Sequence, residues 1–361
     1  MGHGHRPGPA GSVCACSALA TSDRMRVALI DREKFPRDKS CGGLVLSGAV
    51  SELRELGLGA VFDGRPLIAD IQAAFPGSRF AFLEKIVDSN NAAACYIVER
   101  MVFDHHLFRS AKERGARDYT GYKFTGAEFD DSAGLWTLEL QPGRGAVVEI
   151  RCRVLVGADG AGSQVRRLAG HRLNGEGHTV VALRAYAQAE GQPEETLRID
   201  WLESLLAGFG WVFPLANGKV NIGVGTTRRE FKRTGASLES HLDEYVRYLS
   251  SQGVAIRNLG DIKAYPLPLA SQTPPLVPKR QMALVGDAAS MIDPSTGEGI
   301  PHGICAGRVL GRTISGWVNL GGGDPQAGLE RYAKAYAGQF GKVAKGSQSL
   351  RELLEFPKYF G

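Results

Sequence analysis

The stretch Gly8-Pro9-Ala10-Gly11 carries residue types suited to binding a nucleotide diphosphate. Glycine lets the backbone approach a pyrophosphate closely, and a helix starting there offers free N–H groups and the positive end of its dipole. Asp31 lies 20 residues beyond Gly11, the spacing at which a carboxylate accepts a hydrogen bond from a ribose hydroxyl. Arg6 stands where the first glycine of a GxGxxG fingerprint would be. Two further glycine–acid turns follow apolar runs: Gly157-Ala158-Asp159-Gly160 and Gly286-Asp287. Asp287 would stand at the carboxyl edge of a strand, where doubly wound sheets bind ligands. A loop with Gly297 and Gly299 then leads into a helix, whose first N–H groups could face an anionic or electron-rich ring edge. Each turn alone reads equally well as a strand-to-helix turn with an Asp cap. The three together form a constellation that turn chemistry rarely produces.

Such residues need elements to hold them. "RVALID" (Arg26–Asp31) is a short buried-strand pattern ending in an acid, and Ser12–Ala20 is compatible with a helix. The order is turn, helix, strand, acid, with no good strand ahead of the turn. "MGHGHRP" holds no β-branched or aromatic residue, and Pro7 would remove a ladder donor. Phe103–Ala116 reads as an amphipathic helix stopped by Gly115. "GLWTLELQ" and "AVVEIRCRVLVGADG" read as a hairpin. Between about Thr179 and Leu269 alternating strands dominate, with Asn217-Gly218 as a hairpin turn and one helix, "LESHLDEYVRYLSSQ". Gln281–Ser290 returns to the buried parallel-strand pattern, followed by the helix "GICAGRVLGRTISGWV" and a helical tail from Leu329 to Phe356. The expected fold class is α/β. A Rossmann-like domain would be built from discontinuous segments (1–66, 96–178 and 276–324). An antiparallel-sheet substrate domain (67–95 and 179–275) and a C-terminal helical tail (325–361) would complete the chain.

The bulk properties narrow the function. The chain has 361 residues, 43% of them apolar, enough for two or three domains. The net charge of +5 comes without a basic block, so nucleic acid is not the expected partner. No apolar run reaches the roughly 18 residues of a membrane span, and the start lacks a signal-peptide core. The six cysteines form no CxxC pair and no zinc spacing, so no metal site is expected and free thiols in a reducing cytoplasm are. Arg331, Lys334, Lys342 and Lys345 give the tail a basic face, read as solvated, with peripheral membrane contact as the other reading. Trp211 and Phe213 alternate with Val212 along a strand; their shared face is either core or the wall of an apolar ligand pocket. Cys41 is either a small core residue or a group beside a cofactor.

"LVGADGAGSQVR" and "ALVGDAA" are similar to the DG and GD motifs of flavoproteins built like para-hydroxybenzoate hydroxylase. More narrowly, three stretches resemble the geranylgeranyl reductase family of FAD-dependent oxidoreductases. They are "DREKFPRDKSCGG" (Asp31–Gly43), "GFGWVFPLANGKVNIGVG" (Gly208–Gly225, with Phe209 at the Tyr of YxWxFP) and "DPSTGEGI" (Asp293–Ile300). The resemblance runs in order from Gly8 to the tail. It implies that Gly8, Gly11, Asp31 and Arg32 hold the ADP half of FAD, with Arg100, Asp159 and Gly160 also on the cofactor. Gly286 and Asp287 would bind the ribitol. Pro294, Gly297, Gly299 and Ile300 would face the isoalloxazine edge. Cys41, Gly42 and Gly43 would lie beside the ring, Cys41 as the catalytic candidate. Trp211, Phe213 and Pro214 would wall the substrate pocket. The implied reaction moves hydride from reduced flavin to one carbon of a C=C bond in an isoprenoid or similarly apolar molecule. A proton from Tyr, Cys41 or water reaches the other carbon, and NAD(P)H or another reductant supplies the electrons. The same architecture supports flavin-dependent monooxygenases acting on small natural products. The altered start motivates a third reading, a flavin-free relic with a binding role. The expected location is cytoplasmic, with membrane-peripheral contact allowed.

Overall fold

A computed structural model describes residues 8–74, 81–85, 94–205 and 208–354. Gly8 caps a helix over Pro9–Ala20 that is buried almost throughout. Proline at its first position is pre-set for helical geometry and lacks an N–H that would have gone unbonded there. The strand expected at Arg26–Asp31 forms over Ala28–Asp31 and pairs in parallel with Arg117–Thr120. The helix expected from Phe103 begins earlier, over Arg100–Glu113, and Gly115 follows it in a left-handed conformation. Leu155–Gly157 pairs in parallel with Met282–Leu284. Among the described residues the parallel strands of the Rossmann-like part thus form two separate pairs rather than one sheet, and a third parallel pair, Asp70–Ala74 with Thr196–Asp200, lies inside the substrate sheet, which is therefore not wholly antiparallel as expected. Arg6 and Pro7, on which the reading of the fingerprint's first half rested, lie outside the described residues.

One expectation needs correction. "AVVEIRCRVLVGADG" is not a single hairpin arm. Val148–Cys152 pairs with Leu135–Pro142, which pairs in turn with Tyr122–Asp130, giving a three-stranded meander. Leu155–Gly157 then leaves for the parallel pair. The alternation typical of a half-exposed strand runs through Cys152, after which a more buried apolar run begins.

The substrate-domain segments build one eight-stranded sheet in which Thr179–Glu190 pairs with three strands near one edge, and Asp70–Ala74 and Ala81–Lys85 form the other edge. Asn217 (φ 62°) and Gly218 (φ 69°) form the hairpin turn between Phe209–Pro214 and Lys219–Thr227. One sheet face packs Val212, Ile222 and Val224 under the Leu238–Ser251 helix. The other face carries Trp211 and Phe213 in a separate apolar cluster. The final helix, Pro325–Leu354, is anchored by buried Tyr332, whose hydroxyl donates to the Leu284 carbonyl at 2.8 Å. Its Arg331, Lys334 and Lys345 are exposed, whereas the Lys342 side chain lies outside the described part. Among the described residues no helix is long and apolar enough to cross a membrane.

Candidate cofactor and substrate site

Two helix starts converge on one cleft. Gly8 heads Pro9–Ala20 and Gly299 heads Ile300–Asn319, and neither end has a side-chain cap. Their first N–H groups are left for a ligand. The cleft, about 70 Å³, is lined by Gly8, Cys41, Arg100, Gly160, Gly286, Asp287, Gly297, Gly299 and Ile300 among others. The Arg100 guanidinium lies against Gly8, with Nη2 3.7 Å from where a Cβ would stand. Glycine backbone, two uncapped helix ends and an arginine are the donors that a pyrophosphate and an electron-rich ring edge require, so these residues fit FAD.

Other expected residues sit elsewhere. Gly11 is inside the first helix, away from this cleft. Asp159 accepts from the N–H groups of Gln164 (2.7 Å) and Val165 (3.2 Å) and from the Ser163 hydroxyl (2.5 Å), which is the helix-cap reading of that turn. Pro294 is buried beside the cleft without lining it. Arg32 pairs with its neighbour Glu33 at 3.2 Å. Asp31 is fully buried. Its Oδ1 accepts from the Glu33 N–H (2.9 Å) and its Oδ2 from Arg37 Nε (3.0 Å).

Arg37 opens a buried network that sequence reading missed. Its Nη1 donates to Asp104 Oδ2 at 3.0 Å, and Arg100 donates to both Asp104 oxygens at 2.7 and 2.8 Å. Burial alone would raise the Asp104 carboxyl, but Arg100 and Arg37 hold it below the usual carboxylate range. The four groups alternate in sign from Asp31 to Arg100, and Arg100 delivers the end of the chain to the cleft. A second pair stands opposite. Lys39 Nζ donates to Asp287 at 2.7 Å and lies 4.4 Å over the Tyr265 ring. Burial would lower the Lys39 ammonium, yet Asp287 and Tyr265 keep it above its ordinary value.

The Cys41-Gly42-Gly43 turn joins the cleft to the aromatic sheet face. Asn221 is the bridge. It accepts from Trp211 Nε1 (3.0 Å) and donates to the Cys41 carbonyl (2.7 Å). A Cβ on Gly42 would lie 2.6 Å from Phe213 Cε2. Gly43 has φ +82°, and a Cβ there would lie 2.5 Å from the Val98 carbonyl oxygen. The Cys41 thiol accepts from the Gly43 N–H at 3.4 Å and lies in the cleft with Arg100. Trp211 and Phe213 therefore share the face that meets this turn, while strand alternation puts Pro214 on the opposite face with Val212.

Glu298 is a further residue the sequence reading passed over, although it stands between the two cleft glycines. Burial, helped by the nearby Asp293 charge, pushes its carboxyl up to about 7. Asp293 itself is tied down by the Ser295 and Thr296 N–H groups and by Ser347 of the C-terminal helix. The Glu298 charge also acts on the Cys95 thiol, a member of the Trp211–Phe213 cluster.

Comparison with known proteins identifies the family. The model of a family described as FAD binding domain matches residues 7–337. Menaquinone reductase of Mycobacterium tuberculosis is 29% identical, with 98% of this chain and 83% of that protein covered. Digeranylgeranylglycerophospholipid reductase of Methanoculleus marisnigri is 28% identical, with 80% and 72% covered. The crystal structure of a geranylgeranyl bacteriochlorophyll reductase-like protein from Thermoplasma acidophilum shares the fold, with TM-score 0.85, 21% identity, and 97% and 86% coverage. The chain belongs to the FAD-binding domain family of oxidoreductases, and within it resembles the geranylgeranyl reductases.

Proposed function

We propose that this protein is an FAD-dependent reductase of C=C bonds in an apolar, isoprenoid-type substrate. The observation that carries the proposal is the Cys41–Gly43 turn, which lines the glycine cleft at Cys41 and seats Gly42 on the aromatic face. A cofactor cleft and an apolar wall thus meet along one turn. The two reductase relatives support the same reading. FAD, bound and reduced, supplies the hydride. Gly8, Arg100 and the Gly297–Ile300 loop would hold it. Trp211 and Phe213 would orient the alkene and exclude water, and Asn221 would fix the Cys41 carbonyl against them. The Glu298 carboxyl would supply the proton, and NAD(P)H or another reductant the electrons.

The test uses FAD-loaded protein reduced by dithionite under anaerobic conditions. Geranylgeranyl diphosphate or a menaquinone should gain two hydrogens per reduced bond by mass spectrometry. Failure with every polyprenyl substrate, together with an oxygenated product from NAD(P)H in air, would replace the reductase by a monooxygenase.

Glu298 gives a separate pH prediction. Its proton is available below about pH 7 and lost above it, so turnover should fall as pH rises through that value. Glu298→Gln should lower kcat by roughly 100-fold, the lower range for a general acid, and flatten that limb. An unchanged pH profile in the variant would remove Glu298 from the mechanism.

A further inference from the structure

The strand Thr179–Glu190 turns every second side chain toward the aromatic face. Ala182 belongs to the Trp211–Phe213 cluster, and Tyr186, at the same parity, packs against it. Arg184 lies between them in sequence and shares that parity. Tyr186 pairs with Asn221, and Asn221 with Phe213, so the three stand in one row across the sheet. Neighbouring strands are about 4.8 Å apart, which puts Tyr186 about 10 Å from Phe213. The Cys41 carbonyl is held on Asn221, between them. In the next row on this face, Gly223 separates Arg184 from Trp211. A Cβ on Gly223 would collide with the indole, so the Trp211 ring extends across it toward the strand that bears Arg184 and Tyr186.

The Tyr186 hydroxyl is shut away from water and has no hydrogen-bond partner. Burial pushes it up to about 12, so it is a neutral donor at neutral pH. The Arg184 guanidinium lies 4.2 Å from the ring centroid and the Lys219 ammonium 4.9 Å. Both cations are already matched by acids. Arg184 pairs with Asp38 at 2.5 Å and Lys219 with Glu99 at 2.6 Å, and Lys263 shares Asp38 at 2.7 Å. Arg184 Nε is also buried without a partner. Both unpaired groups can donate, and an unpaired buried donor is a cost that a ligand's acceptor atom removes.

We infer that Tyr186 is a substrate-recognition residue whose hydroxyl donates to a ring carbonyl oxygen, so that the substrate is a prenylated quinone and not a prenyl diphosphate. The inference rests on the reading of the aromatic face as the substrate wall. A carbonyl brings lone pairs and no proton, which suits a face that offers donors. An alcohol would bring a proton that needs its own acceptor. A diphosphate would need free cations, and those beside Tyr186 are neutralised by Asp38 and Glu99. A flat quinone ring also suits Trp211 and Phe213, since aromatic rings gain from offset and edge contacts with one another. The prenyl chain would continue over the same apolar face.

The test is calorimetric titration of the FAD-loaded, oxidised protein with three ligands: a menaquinone with a geranylgeranyl chain, the same chain on naphthalene, and geranylgeranyl diphosphate. The quinone should bind roughly tenfold more tightly than the naphthalene compound, and more tightly than the diphosphate. Tyr186→Phe should erase most of that preference and leave the naphthalene affinity unchanged. It should also raise the melting temperature, because it deletes an unpaired buried hydroxyl and keeps the ring between its two cations. Equal binding of quinone and naphthalene by the wild type overturns the inference. So does a preference that survives Tyr186→Phe, or a diphosphate that binds best. Reduction of polyprenyl double bonds without a Tyr186-dependent preference would remove this inference and leave the reductase reading standing. A Tyr186-dependent preference without bond reduction would do the reverse.

Discussion

Asp104→Ala should cost about 3–5 kcal/mol of unfolding free energy, the range for breaking a buried ion pair from one side. The carboxylate accepts three charged hydrogen bonds, two from Arg100 and one from Arg37. Arg100 is 2% exposed and Arg37 7%, so neither can recover hydration by moving a little. Arg37 keeps Asp31, whereas Arg100 has no other ion-pair partner among the described residues, and most of the cost falls on Arg100. Removing that cation as well, in Asp104→Ala with Arg100→Met, should cost less than the sum of the two single changes. The pH dependence follows from the sign of the shift. The folded Asp104 carboxyl lies below its unfolded value, so its contribution is present above about pH 4 and is lost as pH falls through the folded value. Wild type should lose stability there, and the Asp104→Ala protein should lose correspondingly less. Urea unfolding at pH 7 and pH 3 measures both. A loss below about 1 kcal/mol at pH 7 would mean that water reaches Arg100 and that the network is not closed.

The same network shows where sequence reading stops. Gly286, Gly297 and Gly299 were legible because they follow a strand and lead into a helix, and Gly8 because it opens a helix-compatible segment followed 23 residues on by Asp31. Nine of the residues singled out converge on the cleft, Cys41 and Arg100 among them through the family resemblance rather than any local pattern. Asp31 was legible by spacing, but its partner was not. Arg37 lies six residues on and Asp104 another 67 beyond Arg37, and nothing local ties them together. Asp159 had two readings from sequence, and its three short contacts select the cap. Pro214 was grouped with Trp211 and Phe213 by the family resemblance, although period two separates it from them. The split after Cys152 was hidden because a half-exposed strand and a buried one adjoin with only Arg153 and Val154 between them. One missed signal was present in plain view. Gly303, Gly307 and Gly311 recur every four residues along Ile300–Asn319, which puts them on one helix face.

That face is where the two helices bearing the cleft cross, and Gly307→Leu should cost about 3 kcal/mol or prevent folding. A Cβ on Gly307 would drive into the Ala10 carbonyl, and one on Gly311 into the Cys14 carbonyl, with Ser17 Cβ 2.8 Å away. These obstacles are backbone of a buried helix, so no side chain can rotate aside. Gly307→Ala is the more discriminating change. Alanine normally stabilises a helix interior by up to about 1 kcal/mol over glycine, and Gly316, in the same helix, has nothing within 4 Å of its Cβ position. Gly316→Ala should therefore raise stability while Gly307→Ala lowers it. Opposite signs from one substitution in one helix isolate the crossing from helix propensity. The consequence reaches the cleft directly. Gly8 and Gly299 head the two crossing helices, so forcing the helices apart by even one methyl group moves one set of N–H donors relative to the other. A ligand touching both ends would then lose part of its contacts. Flavin retention after gel filtration, read from the visible absorbance, should fall in Gly307→Ala and be unchanged in Gly316→Ala. If Gly307→Ala were as stable and as yellow as Gly316→Ala, the close crossing would not be what sets the spacing of the two helix ends.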